Sequence, residues 1–133
     1  MAGGTLSRIL MVEDELDIQS IARIALETVG GLEVEICGSG REALQKAPVY
    51  KPELILMDVM MPGMDGPSTL KELRARPETR AIPIIFMTAK VQPHEVDNFK
   101  RIGALAVIPK PFDPMTLAST VRSIWEKGHD DAR

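Results

Sequence analysis

Short apolar runs alternate with helical patterns along the whole chain, and this alternation restricts the fold more than any other feature. The runs are RILMV at residues 8–12, LEVEIC at 32–37, ELILM at 53–57, IPIIFM at 82–87 and a segment that ends before Lys110. Parallel neighbours in a sheet need crossover connections, which are usually helices and nearly always right-handed. The sequence therefore predicts an α/β domain with a parallel sheet between two layers of helices.

The composition of the runs separates the edge of the predicted sheet from its centre. LEVEIC alternates apolar and acidic residues, which is typical of an edge strand with one wet face. ELILM and IPIIFM are apolar almost throughout, which is typical of central strands covered on both faces.

The helix starts and the first helix's apolar face are also visible. Ser39 and Glu42 have the spacing of a capping box, and Pro67, Pro93 and Pro114 mark the starts of the next three helices. The first helix is expected to bury one face and to end at two glycines; these residues are Ile18, Ile21, Ala25 and Val29, then Gly30 and Gly31.

Length, charge and hydropathy bound the class of protein. A chain of 133 residues with 44% hydrophobic content suits one domain with its own core. A net charge of -3 with interspersed signs argues against direct binding to nucleic acid. There is no apolar run long enough to cross a membrane and no leader pattern, and Cys37 has no second cysteine to pair with. We therefore expect a cytoplasmic protein without a membrane contact.

Polar, reactive side chains follow four of the five predicted strands. Glu13 and Asp14 follow the first, Asp58 the third, Thr88 the fourth and Lys110 the fifth. In open α/β sheets, ligands bind in the crevice beyond the carboxyl ends of the strands, where the strand order reverses. We therefore expect these side chains to meet in one crevice.

The gathered acids need a counter-charge. Three carboxylates raise one another's pKa values unless a cation neutralises them, and Lys110 supplies one positive charge. Mg²⁺ suits the remainder, because it takes oxygen ligands and keeps several waters, and no His or Cys cluster competes for a softer metal. A carboxylate, a hard cation, a lysine and a hydroxyl are the parts needed for phosphoryl transfer, with Asp58 as nucleophile.

These residues carry a resemblance to a known family. MVEDE, Asp58 in DVMMPGMDG, Thr88 with Ala89, and Lys110-Pro111-Phe112 resemble the receiver domain of two-component response regulators over residues 8 to 127. The resemblance implies a flavodoxin-like (βα)5 fold, doubly wound, with a five-stranded parallel sheet in the order 2-1-3-4-5.

The resemblance also implies roles for the acidic residues. Asp58 corresponds to the phosphoacceptor, whose donor is a phosphohistidine on a histidine kinase or phosphotransfer protein. Asp14 and Asp58 correspond to direct Mg²⁺ ligands, Glu13 to a ligand through water, and Met60 to a ligand through its backbone carbonyl.

The remaining motifs correspond to the phosphoryl-binding and switch positions. Lys110, the Thr88 hydroxyl and the Ala89 amide would contact phosphoryl oxygens, and the bond from Lys110 to Pro111 is cis in the family. The family often has an aromatic read-out residue three positions before the lysine. Here that position is Val107, which has no ring to rotate.

The resulting prediction is a single receiver domain over 1–133, with a core of about 8–127 and short flexible termini. It is expected to be a signalling switch rather than an enzyme, acting through the face of helix 4, strand 5 and helix 5, as a monomer or phosphorylation-dependent dimer. The signal would pass to a separate effector protein or, if the chain is part of a longer one, within that longer protein. One alternative is a degenerate receiver that binds partners without phosphorylation. Another is a Mg²⁺-dependent aspartyl phosphatase, which usually needs a second acid where Met60 stands.

Overall fold

The computed structural model describes residues 5–131, and the surroundings of side chains up to residue 128. The strands are β1 (Arg8–Val12), β2 (Glu33–Cys37), β3 (Leu54–Asp58), β4 (Ile84–Thr88) and β5 (Ala106–Pro109). The helices are α1 (Leu16–Arg23, continued by a π-helix over Ile24–Val29), α2 (Gly40–Tyr50), α3 (Gly66–Arg74), α4 (Pro93–Arg101) and α5 (Leu117–Asp131). None of the helices in this part of the chain is long and apolar enough to cross a membrane.

All strands are parallel and lie in the order β2-β1-β3-β4-β5, so the predicted fold class and strand order are confirmed. Every residue of β3 and β4 is buried, as expected of central strands. The outer strand β2 exposes Glu33 and half-buries Glu35, as expected of an edge. The chain adds β2 on one side of β1 and β3 on the other, so the strand order reverses at β1.

The sheet is covered on both faces by apolar clusters. One face packs against α1 and α5, through residues such as Leu26 and Trp125. The other packs against α2, α3 and α4, through residues such as Ala47, Leu70 and the partly buried Phe99. The helices therefore cover the sheet on both faces, and its carboxyl edge is left to the loops.

The buried face of the first helix differs from the predicted one. Ala25 is buried as expected, but Ile21 and Val29 are 45% and 42% exposed, and Leu26 lies in the core instead. The exposure of Val29 follows from the π-helix over Ile24–Val29, because its wider turn rotates each residue less than an α-helix does and so turns Val29 out of the buried face. Ile21 precedes the π-helix and is exposed within the regular part of the helix.

The end of this helix is shaped by contact with α5. A Cβ added at Gly30 would overlap the Cβ of Ala118 and stand 2.7 Å from the carbonyl oxygen of Leu26. The Arg122 guanidinium donates a hydrogen bond of 2.6 Å to the Gly30 carbonyl. Gly30 is therefore needed for close packing, whereas Gly31 is needed for its φ of 70°.

The other helix starts follow the predicted signals with two differences. The Ser39 hydroxyl accepts from the Glu42 amide, but the Glu42 carboxylate accepts from the Gly38 amide, so the box closes one residue earlier. At Pro114 the chain forms a turn, and the regular helix α5 begins at Leu117.

The chain ends were expected to be flexible. Residues 1–4 and 132–133 lie outside the described residues. The tail from Gly128 onward was expected to fray, but its backbone is helical as far as Asp131.

Candidate functional site

The carboxyl ends of β1, β3, β4 and β5 bring the predicted site residues to one edge of the sheet. Glu13 and Asp14 directly follow β1, and Asp58 is the last residue of β3. β1 and β3 are adjacent strands, with Val12 paired with Met57. The crevice therefore opens at the point where the strand order reverses, as the parallel fold requires.

Glu13, Asp14 and Asp58 form a compact acidic cluster. One carboxylate oxygen from each lies within 4.8 Å of the others. Glu13 is fully buried and Asp58 is 4% exposed, whereas Asp14 is only partly buried. Asp14 is thus the member of the cluster that faces the solvent most directly.

Lys110 reaches the cluster from β5. Its ammonium nitrogen lies 3.2 Å from Oε1 of Glu13 and 3.2 Å from Oδ1 of Asp58. The backbone also fixes its position, because the Lys110 amide donates to the Thr88 carbonyl at 3.0 Å. The bond from Lys110 to Pro111 is cis, as the resemblance implied.

The crevice buries more acidic side chains than basic ones, and this shifts the pKa values of the side chains in it. Burial raises the pKa of Asp58 above its ordinary 3.8, against the opposing charge of Lys110. Burial likewise raises the pKa of Glu13, with a further contribution from Asp58. Burial tends to lower the pKa of Lys110, but the two carboxylates outweigh it, and the pKa is raised. One lysine therefore leaves the cluster with unbalanced negative charge.

The donor set fits a hard divalent cation. The clustered ligand atoms are carboxylate oxygens, the type that Mg²⁺ prefers. Cys37 is fully buried at the end of β2, and burial raises the pKa of its thiol to about 12, so it is no thiolate ligand. The Met60 backbone amide donates to Asp58, while the Met60 side chain is 66% exposed.

Thr88 is the last residue of β4 and lies at the same carboxyl edge of the sheet as Asp58. It is 2% exposed, and its hydroxyl oxygen accepts a 3.0 Å hydrogen bond from the Lys90 amide. Ala89, between them, is exposed. The hydroxyl is therefore linked directly to the loop that leads into α4.

An aromatic pair beneath Thr88 was not expected from the sequence. Phe86, fully buried two residues earlier on the same side of β4, meets Phe99 of α4 edge to face, with ring centroids 5.3 Å apart and planes at 79°. Val107 is paired with Phe86 across β4 and β5 and packs against the same cluster. No pattern in the sequence marks Phe86 and Phe99 as partners.

A second contact that the sequence analysis missed involves Gln19 of α1. Its side-chain amide donates a 2.6 Å hydrogen bond to the backbone carbonyl of Glu13. The carboxylate of Glu13 in turn accepts from the Glu15 amide at 3.1 Å. A glutamine on a polar helix face has no feature that would have indicated this contact.

The chain matches the family model described as "Response regulator receiver domain" over residues 9–122. It is 36% identical over 120 residues to the alkaline phosphatase synthesis transcriptional regulatory protein PhoP of Bacillus subtilis, covering 90% of this chain and 49% of that protein. It is 33% identical over 124 residues to the DNA-binding response regulator MtrA of Mycobacterium tuberculosis H37Rv, covering 93% and 53%. The chain thus spans about half the length of these curated relatives.

Solved structures give the same result. The chemotaxis protein CheY4 of Vibrio cholerae is 33% identical, with a TM-score of 0.82, and the match covers 90% of this chain and 98% of that one. The receiver domain of the sensor histidine kinase PA1611 of Pseudomonas aeruginosa PAO1 is 28% identical, with a TM-score of 0.78 and coverage of 93% and 98%. That structure has a magnesium ion coordinated in its active-site cleft.

Proposed function

The chain belongs to the response regulator receiver domain family, whose members act as signalling switches, and we propose that this switch is set by phosphorylation of Asp58. The observation that carries the proposal is the convergence of Glu13, Asp14 and Lys110 on the Asp58 carboxylate. An acid that merely capped a turn would need none of these neighbours.

The proposed reaction is transfer of a phosphoryl group from a phosphohistidine. The bond between phosphorus and the imidazole nitrogen breaks as one forms to a carboxylate oxygen of Asp58, and the imidazole takes up a proton. The product is an acyl phosphate on Asp58, which water later hydrolyses. The ammonium of Lys110, 3.2 Å from this carboxylate, supports the proposal because it is placed to balance charge on the phosphoryl oxygens.

The cofactor in this proposal is Mg²⁺. Its ligands are Asp14, Asp58 and the backbone carbonyl of Met60, with Glu13 acting through water. When bound, the ion supplies positive charge for the carboxylates and for the incoming phosphoryl group. Support comes from the raised pKa values of Asp58 and Glu13, because burial disfavours the charged forms of both carboxylates and a bound cation would offset that cost.

Thr88 and Ala89 form the switch in this proposal. The Thr88 hydroxyl and the Ala89 amide take phosphoryl oxygens, together with Lys110. The Thr88 hydroxyl already accepts from the Lys90 amide, so its turning toward a phosphoryl group would pull on the loop that enters α4. The charge of about −2 on a phosphoryl group is enough to bias such a loop.

We further propose that the signal leaves through the face formed by α4, β5 and α5. α4, whose residues are all described, contains no buried side chain, and Phe99 is the α4 residue that packs against the core cluster on this face of the sheet. A helix anchored so lightly moves at low cost. Val107 replaces the usual ring, so the Phe86–Phe99 contact is the aromatic link that remains between β4 and α4 in this proposal.

The partners follow from this mechanism. A histidine kinase or phosphotransfer protein supplies the phosphoryl group, and an effector reads the switched face. We propose one receiver unit with a core over about 8–127, cytoplasmic, monomeric or dimerising on phosphorylation, and without direct nucleic-acid or membrane binding. MtrA, a relative of about twice the matched length, is a DNA-binding regulator, but that property belongs to the whole relative.

Intact mass spectrometry tests the proposal. The protein is incubated with acetyl phosphate and Mg²⁺, and the same reaction is run with excess chelator and with Asp58→Asn. We expect one added phosphoryl group in the first reaction and none in the other two. Asn keeps the size and one acceptor oxygen of Asp58, so loss of labelling in this variant is not a packing effect.

The same reaction separates the rival functions. Consumption of many equivalents of acetyl phosphate, far faster than any acyl phosphate accumulates, would indicate a Mg²⁺-dependent phosphatase. Binding of a partner with no added phosphoryl group under any condition would indicate a degenerate receiver. Against the phosphatase stands Met60, which has no proton to give a leaving group.

A further inference from the structure

The loop that carries the two acids after β1 is held by Gln19. The side-chain amide of Gln19 donates to the Glu13 carbonyl oxygen at 2.6 Å, which is short for a neutral N–H···O bond. A Cβ built on Gly38, the residue after β2, would lie 3.9 Å from the same nitrogen. Gln19 therefore lies between the loop after β1 and the loop after β2. The contact joins α1 to the acidic crevice.

The carbonyl that Gln19 binds belongs to the peptide unit between Glu13 and Asp14. Rotation of that unit changes the direction in which the Asp14 carboxylate points. The Glu13 amide is fixed by a 2.9 Å bond to the Cys37 carbonyl. The Glu13 carboxylate is fixed by Lys110 and by the Glu15 amide. Gln19 completes this set of contacts by holding the atom next to Asp14.

The side chain at the N-cap of α1 offers no substitute for this contact. Glu15 carries a carboxylate, which accepts hydrogen bonds and cannot replace the donor of Gln19, and it makes no capping hydrogen bond. Without Gln19, the Glu13 carbonyl would turn toward water and take Asp14, the most exposed acid of the cluster, away from its present direction.

We propose that Gln19 is a positioning residue for Mg²⁺, which orients Asp14 through the Glu13 carbonyl without touching the ion. The inference rests on the proposed function, because it concerns the same metal site. Residues that orient metal ligands in this way typically change metal affinity by about 10- to 100-fold when removed, and a single neutral hydrogen bond accounts for about fivefold.

Isothermal titration of the metal-free protein with Mg²⁺ tests this inference. The variant is Gln19→Met, which keeps the length and helix propensity of the side chain but removes its donor. The matched control is Gln45→Met, at an exposed position of α2 far from the crevice. We expect Kd for Mg²⁺ to rise at least fivefold in Gln19→Met and to stay within twofold of wild type in Gln45→Met.

A second readout separates positioning from a general effect on the fold. The rate of phosphorylation by acetyl phosphate is measured against Mg²⁺ concentration. Gln19→Met should need more Mg²⁺ for half its maximal rate and approach the wild-type rate at saturation. Equal Mg²⁺ affinity in Gln19→Met and wild type, with or without a lower melting temperature, would overturn the inference alone. A wild-type protein that takes up no Mg²⁺ would overturn the proposed function as well.

Discussion

The ammonium group of Lys110 lies 3.2 Å from Oε1 of Glu13, although 97 residues separate the two in the sequence. Glu13 is fully buried, and the same ammonium also contacts Asp58, so a single lysine is shared by two buried acids. Asp14 lies beside them, and among the described residues it makes no ion pair with Lys110 or with any other basic side chain. This imbalance is the physical basis of the predictions that follow.

The first prediction concerns stability without metal. Asp58→Asn should raise the melting temperature of the metal-free protein by about 2–6 °C, which corresponds to about 1 kcal/mol in a domain of this size. The reason is that a neutral amide ends the repulsion with Glu13 and Asp14 while still accepting from Lys110. Thermal unfolding followed by circular dichroism, with and without Mg²⁺, measures the effect.

The response to the ion gives the control. Mg²⁺ should raise the melting temperature of wild type and have little effect on Asp58→Asn, because a ligand stabilises only the state that binds it. A variant less stable than wild type in chelator would contradict the account, since it would mean that the Asp58 charge stabilises the fold.

The second prediction is the pH dependence of that stability difference. The pKa values of Asp58 and Glu13 are raised in the folded protein, so between the raised and the ordinary values the folded state binds more protons than the unfolded state. These acids therefore favour folding as the pH falls through the raised values toward the ordinary 3.8 and 4.5. The advantage of Asp58→Asn over wild type should shrink over that interval.

Urea unfolding of both proteins in chelator, from about pH 7.5 down to about pH 4, measures this difference as the pH falls toward the ordinary pKa values. Other acids act in the opposite sense: the pKa of Glu42 is lowered by its bond from the Gly38 amide, and this contribution is lost on acidification. Comparing two proteins that share Glu42 cancels it. A difference that grew as the pH fell would show that the Asp58 pKa is not raised.

Much of the fold could be predicted because local sequence patterns indicate its strands and helices. Apolar runs placed the strands, and the alternation in LEVEIC identified β2 as the edge. The site was predictable for a related reason, since the carboxyl ends of parallel strands must share one edge of the sheet. Knowing which residues end the strands was enough to predict that Asp14, Asp58 and Lys110 meet.

Features that depend on exact helical phase or on long-range contact could not be predicted. The π-helix over Ile24–Val29 moved Val29 out of the core, and nothing in IALETV signals the extra residue per turn. The Gln19 contact and the Phe86–Phe99 pair depend on the distances between elements. A sequence pattern gives the face of an element but not these distances.

The third prediction concerns Lys110. Lys110→Ala should still bind Mg²⁺, because the three acids remain, but it should transmit the phosphorylation signal poorly. Hydrogen exchange of the amides in the loop after β4, measured before and after phosphorylation, reports transmission. Lys71→Ala, at an exposed position of α3, is the control. A wild-type exchange response in Lys110→Ala would contradict the role given to the lysine.

The fourth prediction concerns the aromatic link to α4. Phe99→Leu keeps an apolar side chain but removes an edge-to-face contact worth about 0.5–1.5 kcal/mol. Phosphorylation should then change hydrogen exchange in α4 less than in wild type, while labelling of Asp58 is unaffected. Ile102→Ala, at a position 47% exposed just beyond α4, is the matched control. An undiminished response of α4 in Phe99→Leu would mean that the signal passes elsewhere.

Identification of the modified residue tests the central claim most directly. The protein is phosphorylated with acetyl phosphate and Mg²⁺ and then reduced with borohydride, which converts an aspartyl phosphate to homoserine. Peptide mass spectrometry then locates the conversion. We predict homoserine at position 58 and at no other aspartate. Conversion at Asp14 instead, or an unchanged Asp58 in protein that carries a phosphoryl group, would contradict the account.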